Sequence, residues 1–345
     1  MRLTRLGIPL LCLVLAGCGM EKDKGIFMAA GSYGDLAVVY SEDGLEPLAR
    51  DFESRLSDLT TFVIKPEPRF NTDVYPASRW ELARGYKNAV FLVHIGQGGD
   101  AEKAVRGLLS AEAWDQLSTG QGGMVQRNDP WSTYQLLVVV ASRDRNSLSS
   151  LLRQNMDRIR DTIENSNRER IQRRNRYDGL ETRLMNVYWE RFGFYLEIPG
   201  TYRQNQLDTG VHPGIELMQN SPSRGITVTW EAVDDPVGAL EDPDFLIGMR
   251  RAIGVRLHDE ELAEGSLMWD EGGLPGVGGK KLTGSWTSTS FAGGGPFWCY
   301  FIADPAGKRV FCIDLLVYAP GMDKMGFFRR LEAVAATFAL ERPQP

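Results

Sequence analysis

The sequence predicts a mixed α/β (α+β) protein: two layered α/β domains joined by a long helix, the second an antiparallel sheet with a C-terminal amphipathic helix. Three observations predict it. Apolar strand-like runs alternate with helical stripes between Leu36 and Ala141. A helical pattern then runs from about Ser147 to Phe192. Beyond Gly193 apolar and polar residues alternate with period two until a last helical stripe. At 345 residues the chain exceeds what one core usually organises, which also points to two domains.

Element by element, "LAVVY" (36–40) reads as a buried strand, and the helix after it carries Leu45, Leu48, Phe52, Leu56 and Leu59 on one stripe. "TFVIK" (61–65) is a strand stopped by Pro66 and Pro68; "NAVFLVHI" (88–95) is another, followed by "GQGGD" and a helix from Ala101 to Leu109. "YQLLVVVA" (134–141) reads as a central strand. In the long helix, residues 147–192, Leu148, Leu152, Met156, Ile159 and Ile163 form a stripe that fades into a polar middle. There Arg168, Arg170, Arg173, Arg174 and Arg176 crowd together, until Leu180, Leu184 and Tyr188 restart the stripe beyond Gly179. The helix is therefore expected to connect the domains through solvent and to break near Gly179; docking of an acidic partner on the arginines is the weaker reading, because acidic residues are interleaved. In the last domain "FYLEIPGTY" and "ITVTW" alternate as half-buried strands, a helix spans about Pro243 to Ile253, and strands follow near 282–290. Asp323 is expected to cap a final helix with Phe327, Leu331, Val334 and Phe338 on its stripe. The expected domains are 31–146 and 193–341.

The first residues carry Arg2 and Arg5 before the apolar run Leu6–Leu15, a secretory signal too short to cross a bilayer as a helix. Leu15-Ala16-Gly17-Cys18 resembles the lipobox of bacterial lipoproteins, with small residues before the cut and a thiol after it. The resemblance implies that residues 1–17 are a signal peptide and that Cys18 becomes the acylated first residue, bearing a diacylglycerol thioether and an amide-linked chain such as palmitate. Several acyl tails anchor stably where one is marginal. Gly19, not Asp, follows Cys18, so the inner-membrane retention signal is absent and the outer membrane is the expected leaflet. Residues 18–30 form the tether. From Cys18 onward the chain has 37 basic and 45 acidic residues, a net charge near −8, which argues against nucleic acid as a partner.

Of four cysteines, Cys12 leaves with the signal and Cys18 is acylated, leaving Cys299 and Cys312 around the turn Asp304-Pro305-Ala306-Gly307. If residues 303 and 308 close that loop, the two cysteines stand directly opposite. They then form a cross-strand disulfide in an oxidising compartment, or remain two buried free thiols.

Motifs of chemistry are sparse. The three histidines, His94, His212 and His258, have no ligand spacing, and no metal site or cofactor is expected. His94 ends an apolar strand and reads as a satisfied strand-end residue. There is no G-x-S-x-G elbow, and no catalytic residue is assigned. "HIGQGGDAEKAV" has the strand–glycine–helix form of a phosphate site without its Lys-Ser/Thr, and Asp100 is expected to cap the helix. The acidic runs Asp234-Asp235 and Asp259-Glu260-Glu261 read as solvated loops. Trp286, Phe291, Trp298 and Tyr300, beside Gly293 to Gly295, are the candidate binding surface, although strand alternation should send half of such rings into the core.

The strand-Pro-Gly-Tyr start of the second half, its sheet and its last helix resemble the PsbP/Mog1-type α-β-α sandwich. "NDPWSTYQLLVVVAS" and "FGFYLEIPGTYRQN" resemble the family catalogued as domain of unknown function 4837, envelope lipoproteins without an assigned activity. The expectation is a lipid-anchored cell-envelope lipoprotein, held to the membrane through Cys18, with a non-catalytic binding or assembly role toward a protein or glycan. The alternatives are an envelope hydrolase acting on glycan or peptide, and a structural spacer built around the long helix.

Overall fold

A computed structural model describes residues 27–57, 59–60, 66–206, 213–255, 259–270 and 272–343. The expected signal peptide, Cys18, most of the tether, the strand at 61–65, His212 and His258 lie outside the described residues. The chain divides into two compact units, Met1–Asp58 with Phe70–Ile163, and Leu59–Arg69 with Glu164–Pro345.

In the first unit, β1 (Asp35–Tyr40) leads through a helix, α1 (Glu46–Leu56), toward the short strands β2 (Leu59–Thr60) and β3 (Glu67–Pro68), which belong to the second unit. The first unit resumes with β4 (Asn71–Pro76), a 3-10 stretch at Ala77–Gly85, β5 (Asn88–His94), α2 (Asp100–Arg106), α3 (Ala111–Thr119), β6 (Gly123–Asn128), β7 (Leu136–Ser142) and α4 (Arg145–Gln154). Strand order is β4-β1-β5-β7-β6, with β6 alone antiparallel. Strands buried on both faces must be apolar along their interior, as β5 is from Ala89 to Val93 and β7 from Leu136 to Ala141. One face packs Val38, Val90 and Val138 against Phe52, Leu148, Leu152 and Ile159. The other packs Val39, Phe91 and Val139 against Val105 and Leu117.

Three helices replace the single one expected over 147–192: α4, α5 (Met156–Asp178) and α6 (Thr182–Phe192). At Asn155 the side-chain amide donates to Leu151 O at 2.8 Å, where it competes with backbone pairing. At Gly179 the φ of +107° is closed to other residues, and the expected break occurs there. Nor is the arginine-rich middle bare: Asn167, Arg170 and Ile171 are buried. Glu164 takes both Nε and Nη2 of Arg329 at 2.8 Å, and Gln172 donates to Ala333 O at 2.9 Å. Burial of such groups is tolerated because they are hydrogen-bonded.

The second unit adds β8 (Arg203–Gln206), β9 (Gly214–Gln219), β10 (Ser223–Ala232), α7 (Pro236–Ala239), α8 (Pro243–Ile253), β11 (Glu260–Leu262), β12 (Met268–Asp270), β13 (Lys280–Ser288), β14 (Gly294–Asp304), β15 (Arg309–Tyr318) and α9 (Met325–Ala335). The sheet is antiparallel, in the order β11-β13-β14-β15-β10-β9-β8 with β12 also on β13. Side-chain alternation divides it cleanly. Trp298, Tyr300, Phe311 and Ile313 face a core with Tyr188, Phe328 and Leu331, while Phe297, Phe301 and Val310 meet Leu246, Met249 and Ile253 of α8. The mixed fold class, the antiparallel second sheet and the closing amphipathic helix are as the sequence predicts.

Local details differ. Phe194, Leu196 and Ile198 are buried in alternation, yet the segment pairs through isolated bridges, Tyr195 with Ala339 and Pro199 with Leu180, rather than in a ladder. The first residue of α9 is preceded by Lys324, and Glu67 of β3 accepts from Lys324 N at 2.6 Å and Met325 N at 3.1 Å. In the β14–β15 hairpin, Asp304 accepts from Gly307 N at 2.9 Å and Arg309 Nε at 2.8 Å. This closes the turn on the pair Asp304–Arg309, one residue later on each strand than expected. Cys299 therefore opposes Asp314 and Cys312 opposes Phe301. The cysteines are diagonal neighbours, and both are buried free thiols with sulfurs 3.1 Å apart; the expected disulfide is not formed.

Phe194 sits where the rings of Tyr188, Trp230, Phe311 and Phe338 converge, with centroids 5.5–6.0 Å away. Phe194→Ala is expected to destabilise the second unit by about 3–5 kcal/mol, read as a lowered urea midpoint at unchanged m-value by tryptophan fluorescence.

Candidate functional site

The chain leaves β1 for β4 on one side and returns to β5 on the other, so the order reverses between β1 and β5. In open α/β sheets, ligands gather outside the carboxyl ends of strands at such a reversal. Here the carboxyl ends deliver Ser41 and Glu42 after β1, His94 and the glycine turn after β5, and Arg143 to Arg145 after β7.

These groups close on one another. His94 N donates to Ser41 Oγ at 2.8 Å, its Nδ1 lies 2.8 Å from Glu42 Oε1, and its Nε2 lies 2.9 Å from Arg143 O. A carbonyl only accepts, so Nε2 carries a proton and the imidazole acts as a pin across three strand ends. Arg145 Nε donates to the same Glu42 oxygen at 2.7 Å. Burial works against ionisation of Glu42, but the hydrogen bonds from His94 and Arg145 prevail and hold its carboxyl below the usual range. This satisfied histidine matches the sequence reading.

The glycine turn is also filled. Gly96 (φ +99°) and Gly98 (φ +69°) turn their amides inward, where Glu102 accepts at 3.0 and 2.7 Å. Glu102 occupies the position an external anion would take. Asp100 is not the expected cap: Gly99 precedes the helix, and Asp100 pairs with Lys103 at 3.3 Å. What the edge presents to solvent is a polar ridge of Gln97, Asp100, Arg143 and Arg145.

A second convergence lies inside the second unit. The helix α8 starts at Asp242, whose carboxylate accepts from Asp244 N and Phe245 N at 3.1 Å, and it buries Leu246, Met249, Arg250 and Ile253 on one stripe. Arg250 Nε meets Asp314 at 2.7 Å and Nη2 meets Glu260 at 3.4 Å, with the guanidinium 4.5 Å from the Phe297 ring centroid. Glu260 is 4% exposed, in contrast to the solvated loop expected for 259–261. One guanidinium serves two carboxylates. Burial pushes the Glu260 carboxyl up to about 8, with Arg250 opposing the shift and Asp314 adding to it.

The four aromatic residues expected to form a binding surface are not brought together. Trp286 is buried on the α8 side, and Trp298 and Tyr300 are buried on the α9 side, as alternation along paired strands dictates. Phe291 alone is exposed, at 49%, with its edge toward Tyr318. The sequence reading missed the Ser41, Glu42 and Arg143 partners of His94, which are distant in the chain. It also missed Arg250 and Asp314, each visible as one charge within an apolar stripe.

The family model described as Domain of unknown function (DUF4837) matches residues 275–337, which bears out that resemblance over β13 to α9. A second, described as Domain of unknown function (DUF8532), matches residues 29–176. No curated protein matches the chain.

The protonation of Glu260 has a measurable sign. The carboxyl ionises near 4.5 when unfolded and near 8 when folded. Its contribution to stability is therefore full below pH 4.5, is lost as pH rises toward 8, and is level above that. Glu260→Gln, neutral at every pH, is expected to gain on the wild type by roughly 1 kcal/mol per pH unit between pH 5 and 8, measured by denaturant unfolding at each pH.

Proposed function

We propose that this protein is a lipid-anchored lipoprotein of the cell envelope, held at the outer membrane through Cys18, with a non-catalytic binding or assembly role toward an envelope protein or glycan. One observation carries the binding reading: where polar groups converge they are committed to one another. His94 is held at both ring nitrogens, the glycine turn is filled by Glu102, and Arg250 is shared between Asp314 and Glu260. Such an arrangement stiffens a scaffold and leaves recognition to the exposed ridge of Gln97, Asp100, Arg143 and Arg145. The anchor rests on the lipobox-like Leu15-Ala16-Gly17-Cys18 after a cationic, apolar start. The second unit is read as a PsbP/Mog1-type sandwich, which its helices on both faces of one antiparallel sheet support. The alternative, an envelope hydrolase, draws on Glu260, whose carboxyl burial pushes up, sharing one guanidinium with Asp314. Both are almost fully buried, so the binding reading leads.

In cells, the wild type is expected to float with membranes and to carry acyl mass on residue 18, while Cys18→Ala is expected in the soluble fraction. A photocrosslinker at Gln97 should recover a specific partner only from the anchored form. An acylated, membrane-bound protein that gives no adduct from the ridge would remove the binding role while leaving the anchor in place.

A further inference from the structure

The chain enters the first unit at the edge opposite His94. Ala29 N donates to Thr133 O at 3.0 Å, Thr133 N to Phe27 O at 2.9 Å and Ala30 N to Gly85 O at 2.8 Å. Thr133 and Gly85 precede β7 and β5, so this is the amino edge of the parallel strands. Ser132 Oγ donates to Arg84 O at 2.7 Å, and Gln135 Nε2 donates to Ala83 O at 2.8 Å. Residues 27–30, 82–86 and 132–135 are thus stitched into one surface.

That surface holds every large hydrophobic residue exposed in the first unit among the described residues: Phe27 (71%), Met28 (63%), Leu82 (44%) and Tyr134 (38%). Single exposed apolar residues are ordinary, whereas four collected on one edge mark an interaction site. Tyr134 adds an independent observation. Its φ of +61° is an unusual conformation for a bulky aromatic residue, and it leaves the ring 38% exposed. The hydrogen bonds of Asp129 N to Gln135 O (2.7 Å) and of Gln135 N to Asp129 Oδ1 (3.1 Å) clasp the loop that holds it there.

We propose that this apolar amino edge is a seat on the bilayer surface, through which the first unit rests on the membrane that carries its anchor. The inference rests on acylation of Cys18. Phe27 lies nine residues after Cys18, a reach of at most about 30 Å when fully extended. The edge from which the described chain begins is therefore kept close to the bilayer, and its rings and aliphatic side chains suit the headgroup–acyl boundary. Neighbouring charges have both signs, Glu81 and Asp129 as well as Arg84 and Lys87, so apolar contact rather than attraction to anionic lipid is the driving term. The polar ridge at the carboxyl edge then faces outward, one strand length from the membrane.

The test uses the full lipidated protein in protein-free vesicles of phosphatidylethanolamine and phosphatidylglycerol. An environment-sensitive fluorophore is placed at Leu82→Cys, with Gln97→Cys as the comparison; the native thiols Cys299 and Cys312 are buried. The Leu82 label is expected to shift to the blue, to be quenched by nitroxide lipids and to lose iodide accessibility severalfold, while the Gln97 label does not change. Raising the salt should leave this difference intact. If the protein floats with vesicles but both labels remain equally open to iodide, the seat is refuted and the anchor stands. Protection of Leu82 in native membranes alone would replace the bilayer by a protein partner, also against the proposal. Failure to float and to carry acyl mass would overturn the anchor itself, and the seat with it.

Discussion

Each sheet must hide two faces at once. Along β5 and β7, and along β14 and β15, nearly every residue is buried, so polar side chains are excluded from strand interiors unless they bring a partner. From this follow the helices on either side, the closely alternating cores and the location of chemistry-bearing groups. They lie at strand ends, as with Ser41, Glu42 and His94, or inside as a matched set, as with Arg250, Asp314 and Glu260. In the second place a charged set occupies core volume, and burial pushes the Glu260 carboxyl up despite the guanidinium beside it.

Much of the fold was legible because its apolar pattern is local. The strands at 88–94 and 136–142, the stripe of α9 and the break at Gly179 are written in consecutive residues. What escaped depended on distant or finely balanced choices. The cysteine pairing turned on one residue of turn placement, decided by Asp304 and its hold on Gly307 and Arg309. The cap of α9 comes from Glu67, 257 residues before Lys324, so no neighbouring residue announced it. The arginine-rich segment looked solvated because partners such as Arg329 are remote in sequence.

The site was legible only in fragments. His94 was recognisable at a strand end, but its three companions come from other strands. Aromatic content at 286–301 suggested a surface, yet composition does not tell which face of a sheet a ring takes. Pairing partners do, and they sent Trp286 one way and Trp298 and Tyr300 the other. The apolar amino edge was invisible for the same reason, since Phe27, Leu82 and Tyr134 become neighbours only through backbone bonds between their segments.

The hairpin β2–β3 belongs to the second unit although the whole of 70–163 intervenes. For a chain delivered amino end first, the first unit can complete as soon as Ile163 emerges, whereas Glu67 must wait for the last turns of the chain before it finds Lys324 and Met325. The slow, long-range closure comes last. Truncation just short of α9 would therefore strand the segment around Glu67, whose backbone donors at Lys324 and Met325 are made some 257 residues later.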